Sequence, residues 1–213
     1  MILLEQRMRA LFDLRVVPVI RASGPEQATR MAELLHAAGF GAIEITMTVP
    51  GAMDVIARLA KAMPDVMIGA GTVLSGPQAV EVIRAGAQFV VSPTLETDII
   101  RPCREAGAVS IPAGMTPTEI LRAWQAGANV VKVFPAQPIG GVDFIKALRG
   151  PLPEIPLWVS GLVMAKDAPA YFHAGVQLVG LGGAELLPPD ALAAGDDAAV
   201  AHAAGLLKLA RGG

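Results

Sequence analysis

Cysteine is nearly missing from this chain. Cys103 is its single thiol, which excludes an internal disulfide and any cysteine-based metal cluster and leaves the role of a small, semi-buried helix residue. Histidine is almost as scarce: His36, His173 and His202 all fall in helical patterns. HxH, HExxH and clustered carboxylates are lacking as well, so neither a histidine base nor a metal site is expected, and no cofactor is implied. Charged residues make up 17% of the chain and the net charge is −2. Lysine and arginine are scattered, which leaves no basic face for nucleic acid. Nothing approaches the run of about 18 apolar residues that a membrane span needs. The opening MILLEQRMRALFDL carries charges throughout, as an amphipathic helix does and a signal peptide does not. A cytoplasmic protein is expected.

What the chain has in quantity is apolar side chains, 53% of 213 residues. That length suits one sizeable core, and the low charge predicts that other protein covers part of the surface, as in an oligomer. After the opening helix, short β-branched runs alternate with helical patterns. The predicted strands are VVPVIRA, GAIEIT, DVMIGAGTV, AQFVVSP, AVSIPAG, NVVKVFP, IPLWVSG and VQLVGLGG, and a last helix covers roughly 198–210. Helices tend to close on an Ala-Gly step, at Gly39, Gly86, Gly107, Gly127 and Gly175, with a period of about 20 residues. Eight regular βα units without a long insertion predict an α/β fold, a (β/α)8 TIM barrel with an extra N-terminal helix, as a single domain over 1–213. In such a barrel the chemistry gathers at the C-terminal strand ends, which makes polar residues there candidates.

The most anomalous of these is Lys132, a lone cation inside NVVKVFP. A buried ammonium is costly unless it is paired or sheds its proton, and a neutral amine in a dry pocket attacks carbonyls to form imines. The alternative is a lysine whose head reaches water or pairs with a carboxylate. Lys61, Lys146, Lys166 and Lys208 lie in solvated helical patterns and do not compete for the role. Glu44 repeats the anomaly between two isoleucines. It is either an acid–base group raised in pKa by burial or the structural partner of Lys132 in an ion pair. Arg21 ends the first strand, where its guanidinium suits a substrate carboxylate or a rim salt bridge. GAGTV places Thr72 on a glycine-rich turn, Pro93 and Thr94 follow the fourth strand, and Thr116 with Pro117 reads as a helix cap.

Together VVPVIRA, GAIEITMTVPGA, IGAGTVL, AGAQFVVSP, IPAGMTPTEI, VKVFPA and GGVDFIKALRGPLP span nearly the whole chain. They resemble the class I aldolases of 2-keto-3-deoxy-6-phosphogluconate (KDPG) and 4-hydroxy-2-oxoglutarate (KHG). The resemblance implies a homotrimeric barrel that reversibly cleaves a 2-keto-4-hydroxy acid to pyruvate and an aldehyde. That aldehyde is glyceraldehyde 3-phosphate from KDPG or glyoxylate from 4-hydroxy-2-oxoglutarate. It also implies Lys132 as the Schiff-base lysine, Glu44 as the proton shuttle, Thr72 at the pyruvyl carboxylate, and Pro93 and Phe134 shaping the pocket. Three departures stand out. Thr48 replaces an arginine common in the family, which transfers the carboxylate role to Arg21. VSGL stands where PTGG is usual, putting Ser160, Gly161 and Leu162 in the phosphate loop. Gly182, Gly183, Ala184 and Glu185 replace GGS or GSA, so a hydroxyl is lost and a carboxylate added. These changes raise a non-phosphorylated 2-keto-3-deoxy acid to near parity as substrate. Two other classes stay open: a phosphate-binding barrel isomerase or synthase without an imine, and a catalytically idle barrel that binds a small acid.

Overall fold

The computed structural model describes residues 2–212; Met1 and Gly213, the ends of the expected domain, lie outside the described residues. Nine parallel strand segments form one sheet: β1 (Val16–Ile20), β2 (Ala42–Thr46), β3 (Met67–Gly71), β4 (Phe89–Val91), β5 (Val109–Ile111), β6 (Ala113–Gly114), β7 (Val131–Val133), β8 (Leu157–Val159) and β9 (Leu178–Gly182). Their order is β5-β4-β3-β2-β1-β9-β8-β7-β6. The two ends of that order, β5 and β6, are halves of a single barrel strand split at Pro112, which has no N–H to give the ladder. Ser92 N–H donates to Ile111 O on one flank (3.0 Å) and Lys132 N–H to Pro112 O on the other (2.9 Å). The expected count of eight therefore holds around the barrel, with the fifth strand in two pieces.

Helices α1 (Ile2–Leu14), α2 (Pro25–Ala37), α3 (Ala52–Ala62), α4 (Gly76–Arg84), α5 (Ile100–Ala106), α6 (Pro117–Gln125), α7 (Gly141–Arg149) and α8 (Ala168–His173) alternate with the strands. The short α9 (Gly183–Leu186) and α10 (Pro189–Ala193) then lead to α11 (Asp196–Arg211). The glycines that end the helices take positive φ, Gly39 at 96° and Gly127 at 94° among them, so a backbone turn sends each chain segment into its next strand. At α6 the predicted cap is reciprocal: Thr116 Oγ1 accepts from Glu119 N–H (3.3 Å) while the Glu119 carboxylate accepts from Thr116 N–H (2.8 Å).

Alternation along the strands divides the apolar side chains between two cores. One lies between the sheet and its helices. The other fills the barrel with Val17, Val19, Phe89, Val109, Val130, Trp158 and Leu178, each such side chain contributing roughly 1.5–3 kcal/mol when fully buried. Leu11 of α1 is buried in that interior cluster, with Leu4, Met8, Phe12 and Leu14 packed against it. Leu14 also packs on Gly41, at the start of β2, and Leu3 on Gly107, at the start of β5. Helix α1 thus closes the N-terminal mouth, leaving the C-terminal mouth for a ligand.

Candidate active site

A layer of aromatic rings forms the floor of the site. Phe89 and Trp158 meet inside the barrel with centroids 6.0 Å apart and planes tilted by 46°. Glycine makes room for both: a Cβ on Gly69 would fall 2.1 Å from the Phe89 ring, and one on Gly180 would fall 2.5 Å from the Trp158 indole nitrogen. Glycine in a strand commonly marks such an approach. Trp158, which in the sequence reads as one more apolar strand residue, is fully buried there.

Above this floor stand the two anomalous charges. Glu44 is fully buried and Lys132 only 3% exposed. They come from strands on different sides of the barrel, Glu44 level with Val19 and Gly69, Lys132 level with Ala113 and Trp158. The Glu44 carboxyl lies over the Cα of Gly71. Both its oxygens are shielded from solvent and accept no hydrogen bond from the described residues. The Lys132 ammonium lies 5.0 Å from the Phe134 ring centroid, a cation–π approach.

Among the described residues no carboxylate comes within 4.0 Å of Lys132, so the static ion pair with Glu44 that the sequence left open does not form, though each group feels the other's charge. Burial pushes the Lys132 amine below the usual lysine range, helped by Arg21 and opposed by Glu44. Burial pushes Glu44 above the usual carboxylate range against the pull of Lys132 and Arg21. Both shifts favour the neutral forms, an amine able to attack and a carboxyl able to give or take a proton.

The structure gathers the other candidates unequally. A cavity of about 440 Å³ is lined by Arg21, Phe134, Ser160, Gly161, Gly182 and Gly183, with Val19, Leu162, Met164 and Glu185 among its other walls; the buried Lys132 and Glu44 do not themselves line it, and the Phe134 ring stands between it and the Lys132 amine. A side chain on Gly161 would run into Pro135 (2.8 Å) and the Phe134 ring (3.1 Å), so its glycine is required where the loop crosses the β7 end. Thr72 and Pro93 stand half-buried after β3 and β4 and do not line this cavity; Thr72 takes a left-handed φ of 60°. Thr46, fully buried, donates to Ile20 O (3.0 Å) and meets Thr48 Oγ1 at 2.8 Å. That bond ties the end of β2 to the end of β1, next to Arg21.

Among the described residues no three His, Cys, Asp or Glu side chains group as a metal site would require. His36 and His173 lie on helices away from the mouth, whereas His202 Nε2 sits 3.1 Å from Glu185 O, closer to the cavity than its helical pattern suggested.

A closed parallel βα barrel with an uncompensated buried amine at the C-terminal end of a strand belongs to the barrel enzymes that work at that mouth. The family model for KDPG and KHG aldolase matches residues 5–203. The chain is 36% identical over 181 residues to the KHG/KDPG aldolase of Escherichia coli K12, covering 85% of this chain and 84% of that one. It is 35% identical over 187 residues to the 2-dehydro-3-deoxy-phosphogluconate aldolase of Treponema pallidum, covering 88% and 89%. A crystal structure of the Legionella pneumophila KDPG aldolase, with pyruvate captured as a covalent carbinolamine, superposes with a TM-score of 0.81 at 29% identity, over 94% of this chain and 96% of that one. The chain belongs to the KDPG and KHG aldolase family.

Proposed function

We propose that this protein is a class I aldolase that reversibly cleaves a 2-keto-4-hydroxy acid into pyruvate and an aldehyde, with Lys132 as nucleophile. The observation that carries the reading is Lys132 itself, buried at a strand end with no carboxylate in contact among the described residues. Its neutral amine adds to the C2 carbonyl, and the carbinolamine loses water to give a protonated imine. A base removes the proton of the C4 hydroxyl, the C3–C4 bond breaks, and its electron pair passes into the imine as an enamine while the aldehyde leaves. Protonation at C3 and addition of water then release pyruvate and the free amine.

Glu44 is the group placed for these proton transfers. Its oxygens have no other partner among the described residues, and burial raises its pKa above the ordinary carboxylate value, the direction a proton-carrying carboxyl needs. Arg21 holds the carboxylate at the cavity rim, and Phe134 walls the imine. Thr72 and Pro93 act on the opposite side of the mouth, while Ser160, Gly161, Gly182 and Gly183 face the aldehyde end. The whole of 1–213 acts as one barrel domain, the enzyme works in the cytoplasm without a cofactor, and three copies assemble. Leu74, Met115, Leu121 and Trp124, all exposed, supply apolar surface for that assembly.

Mass spectrometry after incubation with pyruvate and borohydride tests the mechanism. An irreversible pyruvyl adduct on Lys132, absent from Lys132→Ala, is expected together with loss of turnover in the variant. Pyruvate binding without an adduct would leave a barrel isomerase, synthase or idle binding protein instead.

A further inference from the structure

The cavity wall carries one charge of each sign. Arg21 is its cationic residue and Glu185 its anionic one. Leu162, Val163 and Met164, on the loop after β8, add an apolar stretch to the same wall. Leu162 is 75% exposed and adopts φ of 58° without being glycine, a costly conformation that places an apolar side chain at the opening. Glu185 reaches across from the start of α9. Its Oε1 accepts the N–H of Ala165 at 2.9 Å, which holds the carboxyl against the loop after β8. Its Oε2 is shielded from solvent and has no donor among the described residues. Burial, reinforced by Asp167, pushes the Glu185 carboxyl upward, against the weaker pull of the backbone N–H, His202 and Lys166. A second anion beside it would have to overcome repulsion or force proton uptake. A substrate hydroxyl, by contrast, meets no such repulsion and can donate to the carboxylate where Glu185 lines the cavity.

We propose that the outer cavity receives an uncharged, hydroxyl-bearing end of the aldehyde fragment, with Glu185 as the specificity residue that accepts from that hydroxyl and turns away a phosphate. The proposal rests on the aldolase reading and narrows it to non-phosphorylated hydroxyaldehydes. Arg21 remains for the carboxylate of the pyruvyl half, so each charge of the cavity has one assignment.

The test uses the full chain in the direction of synthesis, with pyruvate and either racemic glyceraldehyde or racemic glyceraldehyde 3-phosphate. The wild type is expected to favour glyceraldehyde in kcat/KM by about tenfold or more, the scale of one carboxylate facing a dianion a few ångström away. Glu185→Gln keeps an acceptor for Ala165 N–H but removes the charge. It should shrink that preference by about tenfold, chiefly through a lower KM for the phosphorylated aldehyde. Inorganic phosphate provides a readout that does not depend on the variant folding: it should fail to compete with glyceraldehyde in the wild type. A wild-type preference for the phosphorylated aldehyde, an unchanged ratio in Glu185→Gln, or competitive inhibition by phosphate overturns the proposal. Borohydride trapping on the same samples separates the two levels. A Lys132 adduct with phosphate preference sinks this inference alone, whereas no adduct and no turnover sinks the aldolase reading and this one with it.

Discussion

Replacing Gly71 with alanine tests whether the position of Glu44, and not merely its presence, matters for turnover. A methyl group at 71 would lie 1.8 Å from Glu44 Oε1 and 2.4 Å from its carboxyl carbon. Ordinary contact begins at 3.4 Å, so the oxygen must retreat by about 1.6 Å or the strand must shift. Displacements of about 1 Å at a reacting group cost on the order of 10²-fold in rate, and overpacking of this kind costs about 1–3 kcal/mol of stability. Steady-state release of pyruvate from 4-hydroxy-2-oxoglutarate should therefore fall by about two orders of magnitude, with a Tm lowered by several degrees. Pyruvate should still be trapped on Lys132 by borohydride, because the nucleophile is untouched. The informative comparison is with Glu44→Gln, expected to be slowed by about 10²-fold or more through lost acid–base catalysis. If Gly71→Ala folds, traps pyruvate and turns over within about threefold of wild type, the carboxyl is not held there for chemistry, and Glu44 is reduced to a buried neighbour of Lys132.

Three further outcomes can be measured singly. Lys132 feels Glu44 and Arg21 with opposite signs, so the pH midpoint of adduct formation should move down in Glu44→Gln and up in Arg21→Ala; shifts in the same direction would contradict the electrostatic account. Because burial lowers the folded pKa of Lys132, the folded state binds fewer protons than the unfolded one between that pKa and the ordinary lysine value of 10.5. Stability should rise with pH across this window and flatten in Lys132→Met; denaturant titrations giving the same slope in both proteins would count against a depressed amine. Gly205 lies inside α11, and a methyl group added to it would have nothing within 4 Å, so Gly205→Ala should raise stability by about 0.5–1 kcal/mol and leave kinetics unchanged. A lower Tm there would mean that the helix packs more tightly than the structure shows.

Periodicity alone was enough for the barrel. Each Ala-Gly step and each β-branched run carries a local signal, since helix ends and buried strands are decided by neighbours in the chain. The split at Pro112 was equally legible in principle, because proline cannot donate to a ladder on any strand. The short α9 and α10 were not: four and five residues carry too little periodicity to separate from loop.

At the site, Lys132 and Glu44 stood out because a charge among isoleucines and valines is anomalous wherever the chain folds. What the chain could not show was their relation. The sequence left a static ion pair open; in the fold, Glu44 turns over Gly71 while Lys132 approaches Phe134. That outcome depends on space made by a glycine one strand away. Trp158 likewise reads as another apolar residue until Gly180 and Phe89, far off in sequence, leave room for it as the floor.

Residue order was therefore sufficient for the succession of elements, the closed α/β architecture and the identity of the two charges that cannot be silent, because burial and propensity act residue by residue along the chain. Only in the folded barrel do those charges stand apart and unpaired, do Arg21 and Glu185 line one cavity, and do Thr72 and Pro93 fall outside it. Distances across a barrel are set by strand register and by which side chains yield space, and neither is written in local sequence.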